Sequence, residues 1–269
     1  VKLGASVRAF VRYKSDVSIG NLKLLPQETL KKIELIRGDL KNIEIVKEAV
    51  NGVDIIFHLG ATISIPHSYK DPRDFVETNI IGTFNILKAA HEHNVKKVVI
   101  TSSSEVYGTA LYTPIDEKHP LQPQSPYAAS KVSADKLAES FYKTYNLPIA
   151  IIRPFNTYGP RQSARAVIPT IISQALTKEK VKVGSLTPKR DFNYVKDTVN
   201  GFIKIAESDN SIGETINIGT GKAISIGEVV EAVEKILGKK LDIETDEERL
   251  RPEKSEVMVL LADNSKAKK

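Results

Sequence analysis

The chain has 269 residues, a formal net charge of +6, 41% hydrophobic residues, 27% charged residues and no cysteine. This composition is ordinary for a globular protein with a sizeable core, and it excludes disulfides and thiolate metal sites. No apolar run approaches ~20 residues and no signal-peptide pattern is present, so we expect a cytoplasmic protein that does not bind a membrane.

The other ligand classes receive little support from composition. His91 and His93 are two residues apart, on different faces of a helix, so no metal site is predicted. Aromatic residues make up only 6% and the lysines are scattered, which argues against a nucleic-acid partner. The mild positive charge suits a small anionic ligand or an ordinary solvated surface.

The first two thirds of the chain alternate apolar, β-branched runs with amphipathic helical patterns. The predicted strands are 5–11, 33–40, 53–61, 95–102 and 147–156, and the predicted helices are 42–50, 71–94 and 125–146. This alternation indicates βαβ units and therefore an α/β fold with a parallel sheet. Such sheets bind ligands at the carboxyl ends of their strands, which is where Asp39, His58, residues 102–105 and Asn156 fall.

The pattern loosens after about residue 157. Helices are predicted at 166–179, 195–209 and 225–238, with a strand at 214–219. We therefore divide the chain into a first domain, 1–157, and a smaller lobe, 158–269, that packs against the sheet and closes over a ligand.

Two segments carry candidate chemistry. Tyr127 and Lys131 are four residues apart on a predicted helix and share a face. A lysine ammonium favours the phenolate and lowers the pKa of a tyrosine, so the pair could accept a proton from a hydroxyl that is being oxidised. An ordinary helix with an exposed lysine is the alternative. Ser103 could hydrogen-bond the same substrate oxygen.

Nine motifs, in order, resemble the extended short-chain dehydrogenase/reductases, the family of NAD-dependent nucleotide-sugar epimerases, dehydratases and decarboxylases. They are "IRGDL", "FHLGA", "NIIGTFNIL", "TSSSEVYG", "YAASK", "RPFNTYGP", "RDFNYVKD", "NIGTG" and "RPEKSEV". The segments "GPRQSARAVIPTIISQAL" and "SLTPKRDFNYVKDT" are most similar to the 4,6-dehydratases that act on nucleotide-activated N-acetylglucosamine in legionaminic-acid-type pathways. The resemblance implies a Rossmann-like doubly wound sheet, with NAD(P) bound by 1–157 and substrate mainly by 158–269.

The resemblance also implies roles for the catalytic side chains. Tyr127 would take the proton from the sugar C4 hydroxyl, Lys131 would lower the tyrosine pKa and hold the nicotinamide ribose, and Ser103 would bond the C4 oxygen. Glu105, with Ser104 beside it, would remove the C5 proton and act as acid at the C6 hydroxyl. Epimerases of the family generally carry a small residue at this position.

Further contacts follow from the same resemblance. Besides Tyr127 and Lys131, the implied cofactor contacts are Arg12, Asp39, Leu40, Leu59, Gly60, Ala61 and Asn79. Asn156, Arg190 and Arg251 would bind the substrate phosphates, since an arginine fork suits phosphate oxygens. Arg12 favours the 2′-phosphate of NADP, whereas Asp16 could serve the ribose of NAD, so the cofactor type stays open.

The sequence departs from the family at its start, because the expected first strand and its Gly-x-x-Gly-x-x-Gly turn are absent. We therefore expect a chain that lacks the first strand and the C-terminal end, and we assign the function to the parent protein. The alternatives are a UDP-glucuronate decarboxylase, which also carries Ser-Glu, a 4-epimerase, and a non-catalytic nucleotide-binding scaffold. Relatives often dimerise through the helices at 72–92 and 125–145, so a homodimer is expected.

Overall fold

The computed structural model of the protein describes residues 1–13 and 18–269, so Asp16 lies outside the described residues. The strands are β1 (Val7–Arg12), β2 (Ile33–Gly38), β3 (Ile55–His58), β4 (Lys97–Thr101), β5 (Ile149–Pro154), β6 (Asn156–Tyr158), β7 (Lys180–Val183), β8 (Lys189–Arg190), β9 (Phe192–Tyr194), β10 (Thr215–Ile218), β11 (Ile224–Ser225), β12 (Asp242–Thr245) and β13 (Val259–Leu260). The helices are α1 (Gln27–Leu30), α2 (Ile43–Val50), α3 (Ile65–Lys70), α4 (Pro72–Phe75), α5 (Gly82–Glu92), α6 (Pro126–Tyr145), α7 (Val167–Thr177), α8 (Val195–Glu207) and α9 (Ile226–Leu237).

The central sheet is parallel and has the strand order β10-β5-β4-β3. Its strands are mostly apolar, as expected of a parallel sheet that is covered on both faces. Val98 and Ile100 point into a core with α2, α5 and α6, whereas Val99 points to the opposite face, where Ile205 of α8 packs. This two-sided cover confirms the predicted α/β, Rossmann-like doubly wound fold.

Strands β1 and β2 form a separate parallel pair. Phe10 on β1 and Ile56 on β3 pack against the same apolar core, yet no ladder joins β1 to β3 in the described part of the chain. Among the described residues, β1 is therefore paired only with β2, and β3 only with β4, so each has one unpaired edge.

The predicted helix 71–94 is less regular than its sequence pattern suggests. Asp71 caps the start of α4 by accepting from Asp74 N at 3.3 Å, and a π-helical stretch, Val76–Ile81, precedes α5. The extra residue of each π turn changes which side chains share a face, and π-helical turns occur often at functional sites. Asn79, a predicted site residue, lies in this stretch and is buried.

The smaller lobe has its own apolar core, formed by α7, α9, β7 and β12. The chain does not stay in that lobe, however. Helix α8 and strand β10, which span Val195–Ile218, return to the central sheet, where β10 pairs with β5. The division at 157/158 stays a prediction, with this stretch contributing to the first domain.

No helix in the described ranges is both long and apolar enough to cross a membrane.

Candidate active site

The loop after β4 holds three of the predicted catalytic residues. Ser103 is extended and its Oγ accepts from Glu105 N at 3.2 Å, so it caps the 3-10 helix Ser104–Tyr107. Serine suits this position because its hydroxyl satisfies an amide that the helix start leaves free. Gly108 ends the turn at φ 63° and ψ −146°, a region open essentially only to glycine. The backbone therefore fixes where Glu105 stands.

A buried polar network lies under this loop. Ser102 Oγ donates to Asp135 Oδ2 at 2.8 Å, and Arg153 Nη2 donates to the same oxygen at 2.9 Å. Arg153 also donates through Nη1 to the Tyr107 hydroxyl at 3.0 Å. These bonds tie the ends of β4 and β5 to α6. Sequence reasoning missed this network, although charged residues on otherwise buried elements are a signal for one.

Tyr127 lies in the first turn of α6, with its hydroxyl close to the Ser103 side chain. Its ring packs edge-on against Phe75, with the centroids 6.1 Å apart. Burial raises the pKa of Tyr127 to about 12, the nearby Ser103 side chain opposes this shift, and the charge of Glu105 adds to it. The structure thus brings Ser103, Glu105 and Tyr127 together.

Lys131 is buried one turn further along α6, and its Nζ donates to Thr101 O at 2.8 Å. Burial lowers the pKa of Lys131 to about 8, with the Asp135 carboxylate opposing that shift. Burial raises the pKa of Tyr127 overall, and the Lys131 ammonium is directed at a strand carbonyl. The expectation that Lys131 lowers the pKa of Tyr127 therefore stays a prediction.

Glu105 does not stand free in the site. Arg251 grips its carboxylate with a fork, Nη1 to Oε2 and Nη2 to Oε1, both at 3.3 Å. Only 12% of the Glu105 side chain and 19% of the Arg251 side chain are exposed. The other face of this arginine meets Glu256, whose Oε1 lies 3.9 Å from Arg251 Nε and 3.4 Å from Arg190 Nη2. The two arginines predicted to bind phosphate therefore alternate with two carboxylates.

Asn79 joins three parts of the site. Its Oδ1 accepts from Thr62 N at 2.8 Å, and its Nδ2 donates to Thr62 O at 3.0 Å and to Ser130 Oγ at 2.9 Å. The side chain thus ties the loop after β3 to α6. The cofactor contact that the resemblance implies for Asn79 stays a prediction.

The remaining predicted cofactor residues follow strand ends. Leu40 lies between two glycines, since a Cβ on Gly60 would meet Leu40 Cδ1 at 2.6 Å and one on Gly82 would meet Leu40 Cβ at 2.9 Å. Asp39 Oδ1 accepts from Lys41 N at 3.0 Å. The other three are Arg12, exposed at the end of β1, Leu59, which is 62% exposed, and Ala61, which is half-buried.

Asn156 opens β6, and its Oδ1 is buried without a hydrogen-bond partner in the described part of the chain. A buried amide without a partner is costly unless a ligand or water satisfies it. Because the two ends of the amide can be exchanged, Asn156 can offer a ligand either an acceptor or a donor.

The segment 251–256 is held across the site by a residue that sequence reasoning did not single out. Ser255 Oγ donates to Gln124 O at 2.5 Å and is 2.6 Å from the Tyr69 hydroxyl on α3. Together with Arg251 and Glu256, it makes this segment a strap between the first domain and the lobe. The motif "RPEKSEV" contains all three residues, but its sequence alone does not show which contact each residue makes.

Comparisons with known proteins agree with this geometry. Residues 1–269 match the family model of GDP-mannose 4,6 dehydratase. Human dTDP-D-glucose 4,6-dehydratase is 34% identical over 212 residues, which cover 78% of this chain and 60% of that relative, less than two thirds of its length.

Two solved structures share the fold. DesIV, a dTDP-glucose 4,6-dehydratase from Streptomyces venezuelae with NAD and TYD bound, has a TM-score of 0.88 at 26% identity and matches 98% of this chain and 81% of its own. The UDP-glucuronic acid 4-epimerase from Bacillus cereus, in complex with UDP-glucuronic acid and NAD, has a TM-score of 0.86 at 30% identity and matches 97% and 83%. The resemblance found in the sequence is thereby confirmed, and the chain belongs to the GDP-mannose 4,6-dehydratase family of NAD-dependent nucleotide-sugar dehydratases and epimerases.

Proposed function

We propose that the protein is an NAD(P)-dependent 4,6-dehydratase of a nucleotide-diphosphate sugar, with UDP- or GDP-N-acetylglucosamine as substrate. The observation that carries the proposal is the placement of a carboxylate, Glu105, close to Ser103 and Tyr127. An epimerase needs a proton acceptor at C4 but no acid or base at C5 and C6. The choice of N-acetylglucosamine is supported by the sequence resemblance of the lobe.

The residues present fit a nicotinamide cofactor. The Lys131 ammonium has one acceptor, Thr101 O, in the described part of the chain, which leaves donors for ribose hydroxyls. Asp39 and Leu40 follow β2, and Gly60 follows β3, so they lie at the carboxyl ends where such cofactors bind. Bound NAD(P) would supply the hydride acceptor at C4, the hydride donor at C6 and, when oxidised, a positive charge beside the phenol.

The first chemical task belongs to Tyr127. A phenol with a pKa of about 12 is a poor base at neutral pH, so its proton-accepting role requires positive charge close by. Ser103 lies close to the Tyr127 hydroxyl, and we assign its own hydroxyl to the substrate C4 oxygen. The C4 hydroxyl gives its proton to Tyr127 as C4 becomes a ketone.

The second task belongs to Glu105. The C4 ketone makes the C5 proton acidic, and Glu105 removes it. The electron pair of that C–H bond forms the C5–C6 double bond while the C6 hydroxyl leaves, taking the proton from Glu105 to form water. Return to C6 of the hydride that bound NAD(P) would hold, a solvent proton at C5 and release of the C4 proton from Tyr127 to solvent would complete a 4-keto-6-deoxy sugar, so atoms and charge balance.

A UDP-glucuronate decarboxylase is the second candidate, because the Ser-Glu pair is compatible with it. A nucleotide-sugar 4-epimerase is the third, favoured by relatives of that activity. A non-catalytic nucleotide-binding scaffold would keep cofactor affinity without turnover, and the shared placement of Tyr127, Lys131 and Glu105 argues against it.

Product analysis tests the proposal. Incubation with UDP- or GDP-N-acetylglucosamine should give a product lighter by one water, detected by mass spectrometry. The Glu105→Gln variant should oxidise C4 and then stall, so that absorbance of reduced cofactor persists. A product that is only the C4 epimer, from the wild type, would refute the dehydratase.

Two further properties belong to the proposal. A cytoplasmic location suits a chain without cysteine, because disulfides are not needed there. A homodimer is supported by exposed apolar side chains on the π-helical stretch, α5 and α6: Val76, Ile81, Phe84 and Tyr145 are 48%, 45%, 38% and 49% exposed.

A further inference from the structure

The bidentate ion pair between Arg251 and Glu105, called the fork below, is a contact in the site that the proposed function leaves unexplained. The two residues are 146 positions apart in the chain, and both carboxylate oxygens are engaged. A bidentate arginine–carboxylate pair is charge-assisted and directional, so it fixes the plane of the carboxylate as well as its position.

A role only in binding substrate phosphate does not account for this geometry. Arg251 donates through Nη1 and Nη2 to Glu105, and its Nε lies 3.9 Å from Glu256 Oε1. Arg190, by comparison, makes no hydrogen bond or ion pair with Glu105 in the described part of the chain, although the two charges interact at longer range, and it donates to Lys189 O at 2.9 Å and to Glu256. Of the two arginines, only Arg251 is joined to the carboxylate that the proposed reaction needs.

The residue that precedes Glu105 in the sequence explains why the orientation of the Glu105 carboxylate matters. Residue 104 is a serine, so the position next to Glu105 in the sequence offers no second carboxylate to divide the two proton transfers. One carboxylate must therefore face C5 for the first transfer and C6 for the second. Such a group depends on orientation, because a misplacement of about 1 Å can cost ~10²-fold in rate.

The strap keeps the arginine in place. Ser255 fastens the segment to Gln124 O and the Tyr69 hydroxyl, and Glu256 Oε1 accepts from Val257 N at 3.1 Å while facing both arginines. Arg251 thus reaches Glu105 from a segment anchored on either side of the site.

We propose that Arg251 is a positioning residue for Glu105: its fork sets the carboxylate for proton removal at C5 and proton delivery at C6. This inference rests on the proposed dehydratase function. It assigns to Arg251 a part in the elimination step, in addition to any contact with the substrate diphosphate.

Arg251→Lys tests the role, because it keeps the positive charge but loses the fork. We expect C4 oxidation to proceed and the elimination to slow by roughly tenfold or more. Stopped-flow absorbance should then show reduced cofactor accumulating, with kcat lowered and KM changed little. Arg249→Lys is the matched control, since Arg249 lies two residues before Arg251 but pairs with Asp246 at 3.0 Å; it should behave as wild type. If Arg251→Lys raises KM, leaves kcat intact and accumulates no reduced cofactor, the proposal is wrong.

A second measurement separates this proposal from the proposed function. Unfolding of the wild type, Arg251→Met, Glu105→Gln and the double variant forms a double-mutant cycle that needs no turnover. We expect the losses to be non-additive, because each single change already breaks the fork. If the wild type makes no 4-keto-6-deoxy sugar, the proposed dehydratase function is wrong, and the double-mutant cycle alone tests the contact between Arg251 and Glu105. Coupled losses of stability support the positioning contact, and additive losses overturn it.

Discussion

At the scale of single residues, the site depends on how burial shifts the pKa values of Tyr127 and Lys131. The phenol is held protonated, with a pKa of about 12, and the ammonium is weakened, with a pKa of about 8. Both shifts are caused mainly by burial, which disfavours a charged group regardless of its sign.

Removing the phenol oxygen tests its role directly. Tyr127→Phe keeps the ring contact with Phe75 but cannot accept the C4 proton, so turnover should fall by ~10²–10⁴. Reduced cofactor should not form in a single-turnover experiment. Tyr142→Phe, on the same helix, serves as the control and should match wild type. Unimpaired hydride transfer in Tyr127→Phe would sink the assignment.

Lys131 gives a pH prediction. Its folded pKa, about 8, lies below the ordinary 10.5, so between these values the unfolded state binds more protons and stability rises with pH. The contribution of Lys131 to the free energy of unfolding is complete above pH 10.5 and is lost as the pH falls through about 8. Denaturant titrations from pH 8 to 10 should show this rise in the wild type, at up to ~1.4 kcal/mol per pH unit, and not in Lys131→Met. The exposed Lys136→Met should retain the rise; parallel curves for wild type and Lys131→Met would contradict the prediction.

The sequence predicted the residues of the site better than their contacts. The spacing of Tyr127 and Lys131 predicts a shared helix face, and α6 provides one. The partnership of Arg251 with Glu105 could not be predicted, because it joins residues 146 apart through a strap whose path depends on tertiary packing. Likewise, nothing local in the sequence shows that the Lys131 ammonium is directed at Thr101 O.

At the scale of elements, the predicted helices and strands match where period and caps agree. Helix α6 begins after Ser125, whose Oγ accepts from Ala128 N at 3.1 Å, and it ends at Asn146 with φ 53°, close to the predicted 125–146. The π-helical stretch Val76–Ile81 was not predicted, because its apolar spacing continues the helical pattern on either side. Its cause is tertiary, since Asn79 is bonded to the 62 loop and to α6.

The turn that presents Glu105 depends on one glycine. A Cβ on Gly108 would collide with Gln122 O, and its backbone region excludes other residues. Gly108→Ala should therefore lower the free energy of unfolding by about 1–3 kcal/mol or more, as strain of this kind does, and reduce turnover. Gly52→Ala is the control, because Gly52 also has positive φ, 73°, but open space around it. Equal losses in the two variants, measured by denaturant titration, would show that the contact with Gln122 is unimportant.

At the scale of the whole molecule, the parallel sheet and its two helical layers follow from the alternation of elements. The sequence does not predict the return of α8 and β10 to the central sheet, because local sequence patterns do not show which distant strands pair. The exposed apolar face of the π-helical stretch, α5 and α6 bears on the proposed pairing of two copies of the chain rather than on the fold of one copy.

The proposed dimer can be tested by sedimentation equilibrium. We expect a dimeric mass for the wild type and a monomeric mass for Ile81→Glu, because the charge would be buried at the interface. Ile236→Glu makes the same change on α9, where the side chain is 83% exposed, and should leave the mass unchanged. A monomeric wild type at micromolar concentration would contradict the dimer.

The central claim, internal hydride transfer with loss of water, is tested most directly by isotope position. UDP- or GDP-N-acetylglucosamine carrying deuterium at C4 should be incubated with the protein and the product examined by NMR. The dehydratase assignment predicts the deuterium at C6 of a 4-keto-6-deoxy sugar. Deuterium found only at C4, in starting sugar and its epimer, would contradict it.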